Sequence, residues 1–170
     1  PIKTNLELIK QVAYAVEEEK RGPLLRYLIK KNEMKQVLVF ASSRYQADLI
    51  ADKLGKNDVN ARSIHSKKSQ GYRKETLTNF KAGNLTVLVT TDLLSRGIDI
   101  EFLPFVINYE LPRSPKDFVH RIGRTGRAEN PGTAFTFVME DAQHHFKVIQ
   151  KKMKQQVEVV DANDFDLHGF

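Results

Sequence analysis

Cysteine is missing from all 170 residues, which excludes disulfide staples, thiolate zinc sites and a cysteine nucleophile, and suits a reducing compartment. A cytoplasmic location is the expectation. No apolar run reaches the length needed to cross a bilayer, and the opening Pro1-Ile2-Lys3-Thr4-Asn5 lacks the basic-then-apolar order of a secretory signal, so a soluble protein with no membrane partner is expected. Internal repeats and low-complexity tracts are lacking as well. A phosphate-cradling glycine loop is also wanting. The one Gly-Lys pair is Gly55-Lys56, with Ile50 where the loop's first glycine would stand and Asn57 where its hydroxyl would stand.

What is present suffices for one core: 41% of the residues are hydrophobic and 28% charged, in a chain too short to suggest two domains. A formal charge of +6 favours a polyanionic partner, and its distribution is local. Arg62, Lys67, Lys68, Arg73, Lys74 and Lys81 are opposed only by Glu75, whereas Asp161, Asp164 and Asp166 gather near the end. The lysines at 147, 151, 152 and 154 read as the solvated face of a last helix.

Short β-branched runs alternate with amphipathic stretches, the pattern of parallel strands joined by crossover helices, so the fold class is α/β. Strands are expected at Lys10–Val16, Gln36–Phe40, Ala61–Ile64, Thr86–Thr90, Phe105–Asn108 and Thr133–Val138. Helices are expected at 18–31, 44–55, 70–82, 115–122 and 141–155. Ser43 with Gln46 has the spacing of a capping box, and Ser114-Pro115 puts a capping hydroxyl before a proline suited to the first helical position. Gly83-Asn84 is placed to end the third helix. Beyond Val157 the pattern weakens into turn-forming residues, so 1–157 is expected to be the domain and 158–170 a linker or tail.

The densest chemistry lies in His120-Arg121-Ile122-Gly123-Arg124-Thr125-Gly126-Arg127. Its permanently charged, planar guanidinium groups suit bidentate binding of phosphate oxygens, and its glycines allow close backbone approach. A second polar stretch, Thr90-Thr91-Asp92-Leu93-Leu94-Ser95-Arg96-Gly97-Ile98-Asp99, leaves the carboxyl end of an apolar strand, where open α/β sheets bind ligands. Val39-Phe40-Ala41-Ser42-Ser43 leaves another strand in the same way, and Gln70 and Arg73 share one side of a helix's first turn.

In this order these segments resemble motifs VI, V and IV and the Gln-x-x-Arg element of the DEAD-box RNA helicases of superfamily 2. Val106-Ile107-Asn108-Tyr109-Glu110-Leu111-Pro112 resembles their segment Va, with Glu110 where the family has Asp. The resemblance runs over about residues 8–155 and implies the second, C-terminal RecA-like domain: a three-layer α/β/α sandwich around a mostly parallel sheet. It further implies that Arg124 and Arg127 are arginine fingers for ATP, that Gly97 and Asp99 contact the nucleotide, and that Ser42, Gln70, Arg73, Thr91 and Gly97 contact RNA. Arg96, His120 and Arg121 would then couple the two domains.

ATP and Mg²⁺ would be held by a missing N-terminal RecA-like domain, for this chain has neither the phosphate loop nor an Asp-Glu-Ala-Asp segment. The isolated domain is accordingly expected to be an inactive monomer whose partners are RNA and that first domain. The resemblance has one local departure: His65-Ser66-Lys67-Lys68 stands where relatives usually read His-Gly-Asp-Lys. Two other readings remain, a noncatalytic RNA-binding scaffold and a DNA-directed motor, the second disfavoured because such motors usually have Gln at the position of His120. His65 reads as a loop residue, and the adjacent His144 and His145 point apart on a helix, so no metal site is expected there.

Overall fold

The computed structural model describes residues 6–92, 100, 102–126 and 131–170. The apolar, β-branched runs pair side by side as β1 (Ile9–Ala15), β2 (Val37–Phe40), β3 (Ala61–Ser63), β4 (Val87–Thr90), β5 (Phe105–Asn108), β6 (Gly132–Val138) and β7 (Glu158–Asp161). They form one sheet in the order β3-β4-β2-β5-β6-β1-β7, and every pairing among the described residues is parallel. β2 and β4 are buried along their whole length, as expected of central strands covered by helices on both faces.

The helices are α1 (Arg21–Lys31), α2 (Arg44–Lys56), α3 (Gln70–Lys81), α4 (Pro115–Ile122) and α5 (Gln143–Met153). Right-handed crossovers decide their faces. The steps β1 to β2 and β2 to β3 run one way along the sheet and put α1 and α2 on one face, where Leu24, Leu28, Ile50 and Leu54 meet Val39, Val89 and Phe137. The later steps run the other way and put α3, α4 and α5 on the opposite face, around Phe80, Leu38 and Val106 and around Phe118, Phe146 and Ala134. Neighbouring strands whose following helices leave to opposite faces open a crevice at their carboxyl ends. β2 beside β5 is one such place, and β6 beside β1 is another.

Each expected strand forms within one residue of its expected ends, and three helices match as closely. The expected helix over 18–31 opens instead with a 3-10 turn, Glu18–Lys20, and that over 141–155 with Glu140–Ala142. Ser43 and Ser114 cap α2 and α4 by accepting from the amides of Gln46 and Asp117. Gly83 ends α3 with φ +83°.

The expectation of a linker or tail at 158–170 is corrected. Glu158–Asp161 add a strand to β1, with Val12 opposite Glu158 and Ala15 opposite Asp161. Ala162 is buried, Phe165 and Leu167 pack on the core, and the Phe165 ring meets the edge of Tyr14 at 5.8 Å between centroids. β7 joins through its backbone and leaves its side chains mostly exposed, so hydrophobic alternation had nothing to report.

Candidate functional site

The crevice beside β2 collects three strand exits. The Ala41 amide donates to the Thr90 carbonyl at 2.9 Å, and the Tyr109 amide donates to the Phe40 carbonyl at 3.0 Å, which keeps the segments abreast past the ends of β2, β4 and β5. The Ser42 amide donates to Glu110 Oε1 at 2.9 Å. Glu110 therefore positions the expected RNA-contacting serine, a role that reading the sequence did not assign to it.

Arg121 ties the exits together from beneath. Its guanidinium donates to both carboxylate oxygens of Asp92 at 2.5 and 2.7 Å, to the Glu110 carbonyl at 2.6 Å and to Asn108 Oδ1 at 3.2 Å. It also lies 5.0 Å from the centre of the Phe40 ring. At 1% exposure such a charge is tolerable only because its planar fork is matched on nearly every side. Arg121 stands in the last turn of α4 yet reaches the carboxyl ends of the strands, because helical side chains lean toward the start of their helix. Expected to serve interdomain coupling, it engages its guanidinium inside this chain, on the strand exits that it holds. His120, beside it, is half-buried.

Gln70 and Arg73 occupy the first turn of α3, which Ser69 caps by accepting from the Tyr72 amide. Gln70 is exposed; Arg73 is half-buried, with its Nε lacking any hydrogen-bond partner. The loop leading to them is anchored on Asp48 of α2, whose Oδ1 accepts from Ser63 Oγ at 2.5 Å and lies 3.0 Å from His65 Nε2 and 3.5 Å from Lys68 Nζ. His65 Nδ1 accepts from the Lys67 amide at 3.2 Å, which assigns the ring proton to Nε2. Burial works to raise the Asp48 pKa, but the hydrogen bonds from Ser63 and His65 and the charge of Lys68 outweigh it and hold the carboxyl below its ordinary value. Nothing in the sequence singles out Asp48, since its partners stand 15 and 17 residues away.

Arg124 lies elsewhere. Past the end of α4, its Nη1 donates to the Ile100 carbonyl at 3.3 Å, and its own carbonyl accepts from the Leu103 amide at 2.9 Å. Thr125 Oγ1 donates to the Leu103 carbonyl, so this loop is fastened beside the amino end of β5. Gly126 has φ +86°, and a Cβ there would stand 2.6 Å from Ile9 Cγ1, so glycine is required twice over. The described candidate residues thus fall into two groups at opposite ends of the strands, connected by α4, whose eight residues span about 12 Å at 1.5 Å per residue. Arg96, Gly97, Asp99 and Arg127 lie outside the described residues. His145 Nε2 is 2.7 Å from the Pro112 carbonyl, a structural hydrogen bond.

Residues 19–129 match the family described as the helicase conserved C-terminal domain. The chain belongs to that family, on its DEAD-box branch. This DEAD-box C-terminal domain is 36% identical over 163 residues to the ATP-dependent RNA helicase eIF4A of Aspergillus niger, an alignment that takes in 95% of the chain and 41% of that protein. Among solved structures it is similar to a DEAD box protein from the hyperthermophile Methanococcus jannaschii, at TM-score 0.85 and 34% identity over 91% of this chain and 42% of that one. It is also similar to S. cerevisiae Dbp5 bound to RNA and ADP BeF3, at TM-score 0.84 and 28% identity over 92% of this chain and 42% of that one. The domain spans about two-fifths of the length of the curated relatives it matches. The RecA-like fold expected from its motifs is the fold of these relatives.

Proposed function

We propose that the domain is one half of an ATP-driven RNA helicase. In this reading it grips the RNA backbone beside the β2 crevice through Ser42, Thr91, Gln70 and Arg73, and Gly97 is assigned to the same RNA. At the other end of the strands it offers Arg124 to ATP and Mg²⁺ held by an N-terminal RecA-like domain, and Arg127, Gly97 and Asp99 are assigned to the same nucleotide. Domain closure would then bend one strand and separate a duplex locally, or remodel a ribonucleoprotein. Contacts confined to backbone and 2′-hydroxyls account for sequence tolerance and for a preference for RNA.

The observation that carries this reading is the Arg121–Asp92 pair. It fastens α4 to the residue next to Thr91, while the same helix delivers Arg124 one turn later, so backbone grip and finger share one rigid connection. The fit of Arg124 to a phosphate rests on its chemistry: it is half-buried, its Nη1 donates to the Ile100 carbonyl, and a planar, permanently charged guanidinium suits phosphate oxygens. The chain's own phosphate loop is wanting, so the nucleotide cradle and the Mg²⁺ ligands belong to the other domain. The expected setting is a cytoplasmic monomer of the complete protein.

In the complete protein, Arg124→Ala is expected to lower RNA-stimulated ATP turnover by about 10³-fold or more, the range of arginine fingers, with RNA affinity largely kept. Arg73→Ala should do the reverse, weakening RNA binding and flattening its salt dependence by about one contact. Steady-state turnover and binding titrations at several salt concentrations measure both. Normal turnover in Arg124→Ala favours a noncatalytic scaffold, and equal stimulation by DNA and RNA removes the RNA assignment.

A further inference from the structure

We propose that Arg44, Tyr45 and Lys67 form a second RNA subsite, a stacking platform for one base of the strand that flanks the backbone-held segment. The proposal rests on the RNA reading above and adds a contact to a base, which that reading does not contain. Tyr45 is 74% exposed, against 53% for Phe102 and 48% for Val159, the next large apolar side chains in exposure among the described residues. It stands in the first turn of α2, three residues past Ser42, and its ring meets no other ring or cation among the described residues. Tyr72, nearby on α3, contrasts with it: Lys68 Nζ lies 5.3 Å and Arg62 5.8 Å from its ring centre.

Arg44 and Tyr45 stand four and three residues before Asp48, on the side of α2 that meets the 65–68 loop. Asp48 is already engaged by Ser63, His65 and Lys68, and Glu75 lies 3.8 Å from Arg62. Arg44 and Lys67 form no ion pair among the described residues. Arg44 Nη1 instead donates to Ser66 Oγ at 3.3 Å, which holds the guanidinium against the 65–68 loop.

Here the departure from the usual His-Gly-Asp-Lys acquires a physical meaning. A glycine at 66 has no hydroxyl to hold Arg44, and an aspartate at 67 would cancel its charge. A guanidinium held by Ser66, an exposed lysine on the same loop and a bare aromatic ring in the first turn of α2, next to a strand exit expected to hold phosphates, are what single-stranded nucleic acid requires: charge for the backbone and a flat apolar face for the base. An acidic peptide would use the cations and leave the ring without a purpose.

The test is equilibrium binding of the complete protein, with a non-hydrolysable ATP analogue, to two single-stranded RNAs. One is the shortest that saturates ATP turnover, and the other is the same RNA extended at both ends. Tyr45→Ala should weaken binding of the extended RNA by about 5- to 100-fold, the range for one stacked base, and leave the short RNA unchanged. Tyr45→Phe should restore the affinity. Ser66→Gly and Lys67→Asp should reduce the advantage of the extension and its salt dependence, whereas Tyr45→Ala should leave the salt slope as it was.

An extension without bases should bring the wild-type protein no gain. Equal binding of both RNAs by Tyr45→Ala and wild type overturns the subsite, as does full affinity for the baseless extension. Tyr45-dependent capture of an acidic peptide, with no effect on RNA, also overturns it. Failure of the RNA reading itself is distinguishable, for the wild-type protein would then not bind even the short RNA.

Discussion

Arg121 and Asp48 each hold a loop through one charged side chain, and the surroundings of the two predict different losses. Arg121 is buried and makes a bidentate pair. Arg121→Met would remove the bidentate donor from Asp92 and the donor from the Glu110 carbonyl, at a cost of about 3 kcal/mol or more. Arg121→Lys should recover little, since a point ammonium cannot replace the fork. Urea midpoints measure this, and combining Arg121→Met with Asp92→Asn should cost less than the sum of the two; strict additivity would mean that the pair is not coupled.

Asp48 is 42% exposed, so its contribution is small, about 1 kcal/mol or less. Its pKa is lowered by folding, so the stabilisation is complete above the ordinary carboxylate value, about 3.9, and is lost as pH falls through the folded value. Asp48→Asn should therefore be less stable than wild type at neutral pH, and the gap should close in strong acid. A gap that persists unchanged at low pH would contradict the assignment.

At the scale of elements, the fastening of the Arg124 loop depends on a glycine outside the octet that drew attention to it. A Cβ at Gly132, the first residue of β6, would stand 1.7 Å from Thr125 Oγ1 and 2.8 Å from the Gly126 amide nitrogen. Gly132→Ala should cost about 1–3 kcal/mol or more as overpacking, and should lower ATP turnover in the complete protein by displacing Arg124. Gly71→Ala is the matching control: it lies inside α3 with nothing within 4 Å of an added Cβ, and should raise stability by about 0.5–1 kcal/mol. Thermal unfolding of both variants checks the pair, and equal midpoints would refute the crowding. The octet itself was legible because cationic density and glycine are local properties. Gly132 was not, since its neighbours come from the loop that precedes it in the chain and meet it only once β5 and β6 are paired.

For the whole molecule, the placement of the two candidate groups at opposite ends of the strands predicts what the domain does alone. On the proposed function, the isolated chain should bind single-stranded RNA weakly, with an affinity that falls steeply as salt rises, and should not turn over ATP, because the proposed fingers would have no nucleotide to meet. Filter binding and a phosphate-release assay check this, and turnover by the chain alone would overturn the division of labour. The sequence by itself determined the strands as far as Val138, the five helices, the caps at Ser43 and Ser114, and the segments that carry the family's motifs, because periodicity, capping hydroxyls and guanidinium density act within a few positions of one another. Only the tertiary structure decided that Asp92, Asn108 and Glu110 meet around Arg121, that Asp48 anchors the 65–68 loop, and that Glu158–Asp161 are a strand. Each of these is a hydrogen-bonding arrangement between segments brought together by parallel pairing, and polar groups matched in that way have no period in the chain to reveal them.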